Sequence, residues 1–362
     1  MEEEEEEDDD EEDEEEDDFV PRRRRESSSD EQANPPKRSR YSPSAPNGYA
    51  RASPPAASTS HPQPRTSVAA PAPVEASPLR LPPPNARPSL EHSILNVEPV
   101  DEFIREVADF VHRLVANRTE HIEVEAKIGV LRDGSGQRIR LPIGVETTLS
   151  SDMPGIRFES NMSASQHHHY NTLLNNLGVK PPSTDIQRTP LKYNHARLLD
   201  SFYPAPDGSR EKLRVTIDEM TGKVVQCIRK VRLGDLNIHS PKRNADWRIS
   251  VNLEIPSPQP AGAPSHTRKK DRITYTHQYC NVDLTQVRQS ATPSSPPTVL
   301  HELELEFNPT AVPILLHSAS RRNSPDPSLS QEQRDEFDEI IRIFVNNARI
   351  LVRNASNAWE GH

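Results

Sequence analysis

The chain has 362 residues, 36 of them proline; 32% of it is hydrophobic and 5% aromatic. Globular domains carry about 45–50% apolar residues with glycine counted, so one packed globule of this length is excluded, and no apolar run approaches the ~18 residues of a membrane-crossing helix. The formal charge of −11 misleads, because residues 2–18 are all Asp or Glu: 17 of the 55 acids sit there, leaving 38 against 44 lysines and arginines in a mildly basic body.

Residues 1–18 repel one another and have nothing to bury. Residues 19–95 are rich in Pro, Ser, Ala and Arg and read as a disordered linker with extended character. The expected division is therefore an acidic tail and linker over 1–95 and one folded domain over 96–362. Two basic clusters, Arg22 to Arg25 and Lys37 to Arg40, have the spacing of a bipartite nuclear-import signal, or else neutralise the tail. Ser42 and Ser53 precede prolines and are ordinary phosphorylation candidates. No apolar leader opens the chain, and Cys227 and Cys280 form no CxxC pair, so a reducing compartment is expected.

Phe103, Val107, Phe110, Val111 and Leu114 recur at helical spacing and predict a helix over 101–117. The period then drops to two, and strands are expected from about 119 to 307. One helix, Ser165 to Leu177, interrupts them, with Tyr170, Leu173, Leu174 and Leu177 on one face. His167, His168 and His169 fall in its first turn, where adjacent positions point apart, so a shared metal is not expected. Pro/Ser-rich stretches at 256–267, 289–297 and 318–329 read as loops. A long amphipathic helix over 331–353 presents Phe337, Ile340, Ile341, Phe344 and Ile350.

The strands carry an unusual pattern. Ile122, Val124, Ala126 and Ile128 alternate with Glu123, Glu125 and Lys127; Leu303, Leu305 and Phe307 alternate with Glu302, Glu304 and Glu306. Like charges two residues apart, about 7 Å along a strand, repel and need counter-charges. Other strands supply them in the same phase: Lys212 and Arg214, Lys230 and Arg232, Arg248, and Arg268, Lys270 and Arg272. Either the ionic faces look at solvent, or the sheet closes into a barrel with its charges inside and its apolar face under the helices. Facing rows of carboxylates and cations suit a polyanion held through a divalent metal. With no cysteine cluster or paired histidines, an all-oxygen site points to Mg²⁺ or Mn²⁺.

At this point the residues resemble a known family. Ile122-Glu-Val-Glu-Ala-Lys-Ile-Gly129 and Glu302-Leu-Glu-Leu-Glu306 are similar to the two glutamate motifs of the triphosphate tunnel metalloenzymes, and the chain from about 100 to 355 resembles the fungal branch, the mRNA-capping RNA 5′-triphosphatases. Asp200 to Tyr203, Lys212 to Val215, Arg248 to Glu254, Arg268 to Arg272 and Val282 to Thr285 fit that branch. The resemblance implies a mainly β fold with flanking helices, a closed eight-stranded antiparallel tunnel with an ionic lumen. It implies hydrolysis of the γ-phosphate from the 5′-triphosphate end of nascent mRNA. It places Glu123, Glu125 and Glu306 on Mg²⁺ or Mn²⁺. Arg214, Lys230, Lys270 and Arg272 become catalytic cations. Arg248, Arg232, Arg268 and Lys127 become phosphate contacts, with Asp283 and Thr285 supporting them. Glu254 and Glu304 would orient or activate the attacking water.

Implied partners are triphosphate-ended RNA, the guanylyltransferase (alpha subunit), the RNA polymerase II elongation machinery and a second copy of the chain; the implied place is the nucleus. Two departures stand out. Asn281 replaces an Arg that some members carry, and no Trp lies upstream of Trp247, where some members carry a Trp-containing guanylyltransferase-binding peptide. Ser93 to Pro99 is the apolar stretch before the first helix. Three other readings stay open: hydrolysis of inorganic tripolyphosphate or free nucleoside triphosphate, a non-catalytic polyphosphate- or RNA-binding barrel, and a scaffold with exposed ionic sheets.

Overall fold

The computed structural model describes residues 93–96, 98–99, 101–179, 189–205, 208–209, 211–290, 296–357 and 359. The acidic run, the linker, both basic clusters, Ser42 and Ser53 lie outside the described residues. The chain divides into two compact units, Met1–Asn96 and Val97–His362. In the first, Ile94 and Leu95 are exposed. The second carries the fold.

Helix α1 (Glu102–Val115) begins at Asp101, whose carboxylate accepts the N–H groups of Phe103 and Ile104 and so satisfies two orphan donors of the first turn. After it come β1 (Ile122–Arg132), β2 (Thr147–Ser150), β3 (Arg157–Glu159) and α2 (Ala164–Val179). Strands β4 (Lys192–Tyr203), β5 (Leu213–Asp218), β6 (Val224–His239), β7 (Asp246–Pro256), β8 (His266–His277), β9 (Cys280–Gln289) and β10 (Thr298–Phe307) follow. Then come α3 (Val312–Arg321) and α4 (Gln331–Arg353). Ser330 and Gln333 close a reciprocal capping box at the start of α4.

Eight strands pair antiparallel in the order β10-β9-β8-β4-β5-β6-β7-β1, and β10 pairs back onto β1. The sheet is a closed barrel. In the closing pair Glu125 faces Glu306 and Lys127 faces Glu304. Strands β2 and β3 are additions, on β6 and β1 respectively. Gly129 permits the second: a Cβ there would stand 2.1 Å from the Glu159 carbonyl oxygen and 2.7 Å from the Phe158 ring.

The period of two now has a physical meaning. Val124, Ala126 and Ile128 of β1, Trp247, Ile249 and Val251 of β7, and Leu303 and Leu305 of β10 are buried with Val107 and Val111 of α1 and Phe337, Ile341 and Phe344 of α4. The apolar face is the outer wall under the helices, so the ionic face is the inner wall. This removes the scaffold with exposed ionic sheets.

Some expectations need correction. Residues 318–321, expected in a loop, belong to α3, which was not expected at all. Ile350 is 51% exposed and Leu177 48%. Ile350 lies on the opposite side of α4 from Phe344, Ala348 and Leu351, and Leu177 lies near the end of α2, beyond the buried Tyr170 and Leu174. The histidine run diverges: the His167 ring lies 4.8 Å from that of His301, and His169 Nε2 lies 2.8 Å from the Asn354 carbonyl.

Candidate active site

Three strands bring the glutamates together. Lys230 Nζ of β6 lies 2.6 Å from Glu123 Oε2 and 3.2 Å from Glu125 Oε1 of β1. Asn252 of β7 donates to the same two oxygens at 2.9 and 3.2 Å. Burial works against the Lys230 charge, but Glu125 and Glu123 outweigh it and hold the ammonium protonated. Across the closing seam, Glu306 accepts one hydrogen bond, 3.3 Å from Asn281 Nδ2. Burial and the charge of Asp283 push its carboxyl up to about 8, against the pull of Arg272 and with Glu123 and Glu304 adding to the rise.

Next to this group stands a second. Arg272 of β8 donates Nε to Thr285 Oγ1 at 3.1 Å, and its terminal nitrogens lie 2.9 Å from Asp283 Oδ2 and 3.4 Å from Glu304 Oε2. Burial opposes its charge, but Asp283 and Glu304 keep the guanidinium charged. Lys127 Nζ lies 3.2 Å from Glu304 Oε1. Burial alone would raise Glu304, but Lys127 and Arg272 hold it well below the usual carboxylate range. Asp283 rises on burial in spite of Arg272.

A third group spans β4, β5, β6, β7 and β8. Lys270 Nζ lies 2.6 Å from Asp200 Oδ2, and Thr216 donates to Asp200 Oδ1 at 2.6 Å. Burial lowers Lys270 despite Asp200, helped by Arg272 and Arg214. Arg214 donates to Glu254 Oε1 at 2.9 Å, and Gln226 Nε2 donates to Glu254 Oε2 at 2.9 Å. Arg214 Nε is buried with no acceptor, as is Arg268 Nε. Two inward guanidinium donors thus lack acceptors, a demand that an anion would meet.

Three expected phosphate contacts stand apart from these groups. Arg232 and Arg248 both reach Asp235, at 3.1 and 3.5 Å. Arg248 also donates to Asn237 at 2.8 Å and lies over the Phe158 ring. Arg268 lies over the Phe202 ring, 5.6 Å from its centroid. A register shift between Arg232 and Gly234 brings Asp235 onto the inner face. Asp200, Gln226, Asp235 and Asn252 had been given no role. Asp200 and Asn252 share the phase of known inward residues, which is the signal that could have found them; the bulge that aims Asp235 has no such signal.

As the side chains stand, no three His, Cys, Asp or Glu groups among the described residues are arranged to hold an ion; Lys230 stands between Glu123 and Glu125. The donor set still fits a hard divalent cation. Glu123, Glu125 and Glu306 are all oxygen ligands, and Glu306 is surrounded by like charge with one amide donor.

A closed antiparallel barrel whose inner wall interleaves carboxylates with Lys and Arg belongs to the class of triphosphate tunnel enzymes. The model of the family "mRNA capping enzyme, beta chain" matches residues 97–357. The mRNA-capping enzyme subunit beta of Schizosaccharomyces pombe is 35% identical over 276 residues, 75% of this chain and 87% of that one. The solved structure of the S. pombe Pct1 RNA triphosphatase overlays with a TM-score of 0.66 at 34% identity, covering 75% of this chain and all of that one. A second solved structure, Pct1 in complex with the Spt5 CTD, gives 0.65 over 74% of this chain. The chain belongs to the mRNA capping enzyme beta-chain family. It is an enzyme of the RNA 5′-triphosphatase class.

Proposed function

We propose that the chain hydrolyses the γ-phosphate from the 5′-triphosphate end of nascent mRNA and leaves a diphosphate end for guanylylation. The observation that carries this is the enclosed inner wall on which Glu123, Glu125, Glu304 and Glu306 interleave with Lys127, Lys230, Lys270, Arg214 and Arg272. A membership in the capping family supports the RNA substrate over free triphosphate.

Glu123, Glu125 and Glu306 would hold Mg²⁺ or Mn²⁺, which when bound supplies charge neutralisation at the terminal phosphate. Terminal phosphoryl transfer has a loose transition state, so the protein's part is positioning and electrostatics. Arg272, fixed by Thr285, Asp283 and Glu304, offers a rigid positive charge. Lys270 and Lys230 keep donors beyond those their carboxylates accept. The unpartnered Nε of Arg214 gives another donor. Phosphate oxygens meeting these cations compensate their burial, and Lys230, now paired with Glu123 and Glu125, would be available to a phosphate oxygen if those carboxylates held the metal. Glu254, held by Arg214 and Gln226, orients the attacking water. Glu304, kept ionised, fixes Lys127 and Arg272. Arg232, Arg248 and Arg268 contact the substrate further along the wall.

The guanylyltransferase is the partner implied by a beta chain. The neighbour solved with the Spt5 CTD supports a contact with that kind of partner, and membership of the mRNA capping family supports a nuclear place of action. On this reading the acidic tail and linker are 1–95 and the catalytic domain is 96–362.

The test is release of labelled γ-phosphate from triphosphate-ended RNA by the full chain, with and without Mg²⁺ or Mn²⁺. Release that needs the divalent ion and yields diphosphate ends supports the reading. Binding without release would leave only the non-catalytic barrel. Near-normal turnover of Glu254→Gln would remove Glu254 from its role at the water.

A further inference from the structure

The inner wall changes character toward one end. Because neighbouring strands run oppositely, the end of the barrel reached by following β1, β4 and β6 forward and β7, β8 and β10 backward is a single one. In the opposite direction lie Glu123, Glu254, Glu306 and Asp283, with Arg272. Toward this end lie Lys127, Arg232, Arg248 and Arg268, with Glu302 and Asp235. A polyanionic strand is drawn to the cationic end.

At that end, on the inner face, sit two aromatic rings. Phe202 of β4 is the cross-strand partner of His266 of β8. Their rings are stacked, with centroids 4.4 Å apart and planes within 2° of each other. Phe202 shares the phase of Asp200, and His266 that of Arg268 and Lys270. Neither ring belongs to the apolar cluster of the outer wall, and both remain part-exposed. Burial, with Lys212 and Arg268 adding, pushes His266 below its usual range and so favours the neutral ring. Ser265 Oγ lies 3.1 Å from its Nδ1. The Arg268 guanidinium covers the Phe202 ring, and its Nε has no acceptor.

The spacing fits a ligand that runs along the strand. Lys270 belongs to the ionic groups described above. Arg268 is two residues nearer the end, about 7 Å, and His266 two more. A phosphate chain anchored at Lys270 and Arg272 would pass Arg268 and place its nucleoside beside the two rings. An inorganic phosphate chain has nothing to stack there.

We propose that Phe202 and His266, flanked by Arg268, form a stacking subsite for the first nucleobase of the RNA and set the preference for RNA ends over inorganic tripolyphosphate. The inference rests on the activity proposed above. Every base has a π-face, so the subsite is tolerant of base identity.

The experiment compares the full chain with Phe202→Ala and Phe202→Trp. It measures kcat/KM for triphosphate-ended RNA and for inorganic tripolyphosphate, and the fluorescence of a triphosphate-ended oligonucleotide with 2-aminopurine as its first base. In Phe202→Ala the ratio of RNA to tripolyphosphate kcat/KM falls about tenfold, carried by KM for RNA, as expected for loss of one base stack. Phe202→Trp restores the ratio. The 2-aminopurine signal is quenched by the native chain and by Phe202→Trp, and not by Phe202→Ala. An unchanged ratio in Phe202→Ala, or equal losses on both substrates in both variants, would overturn the subsite. If the native chain releases no phosphate from RNA, the activity reading fails, whereas the quenching difference still decides the subsite by itself.

Discussion

Asp246 is fully buried and Glu306 part-buried, and both belong to strands that pair with β1, yet they live in opposite surroundings. Asp246 is fully satisfied. Arg138 donates to both of its oxygens at 2.7 and 2.8 Å, His239 lies 3.0 Å away, and the N–H groups of Leu131 and Ser240 add bonds at 3.0 and 2.9 Å. Burial alone would raise it, but Arg138 and His239 hold it far below the usual carboxylate range. Glu306 has one amide donor and three neighbouring carboxylates, with Arg272 alone pulling the other way. A buried acid with its donors built in stabilises the fold; one without them stores a demand for a ligand.

Removing the charge from each side separates the two. Glu306→Gln should lower γ-phosphate release by about 10³-fold, while stability without divalent ions is unchanged near pH 7, where the carboxyl is mostly protonated, and higher above about pH 8, where like-charge repulsion is relieved. Phosphate release and thermal unfolding of the same preparation check this. A stable variant with native turnover would erase the contrast.

Asp246→Asn should destabilise by about 3 kcal/mol, since it leaves the part-buried Arg138 and the other donors around a fully buried neutral amide. The pH dependence sharpens the comparison. The folded-state carboxyl lies below its unfolded value, so its contribution is present in full above about pH 4 and is lost as pH falls through the lower folded value. Urea unfolding of native and variant chains from pH 6 to pH 2 should therefore show a gap that closes on acidification. A gap independent of pH would mean that packing, not charge, is lost.

The smallest expected effect lies at Gly129, the cross-strand partner of Asp246. Gly129→Ala forces the Glu159 carbonyl away and loosens β3, with an expected cost of about 1–3 kcal/mol. Melting temperature measures it, and the activity of the folded fraction should persist, since no inner-wall residue moves out of phase.

Much of this was legible before any coordinates. The triple alternations at 122–128 and 302–307 set the strands and gathered their charges on one face, because a strand has a strict period of two, but left open whether that face looked at solvent or inward. The long helix over 331–353 declared itself by its apolar stripe. What stayed hidden has physical causes. Helix α3 is short, opens with Pro313 and ends in Ser-Ala-Ser-Arg, so its pattern reads as a turn-rich stretch. Ile350 fits an apolar spacing by composition alone and misses the buried stripe by part of a turn. Asp235 reaches the inner wall only through the register shift after Arg232, which no periodicity announces. The stacked pair Phe202 and His266 joins two strands far apart in the chain and exists only once β4 and β8 pair.

The central claim is that Glu123, Glu125 and Glu306 share one divalent ion within the barrel. Anomalous diffraction from crystals soaked in Mn²⁺ tests it most directly. The account predicts a single strong peak among those three carboxylates, with Lys230 displaced from Glu123 and Glu125, and its loss in Glu306→Gln. A peak elsewhere in the barrel, or none at saturating Mn²⁺, would contradict it.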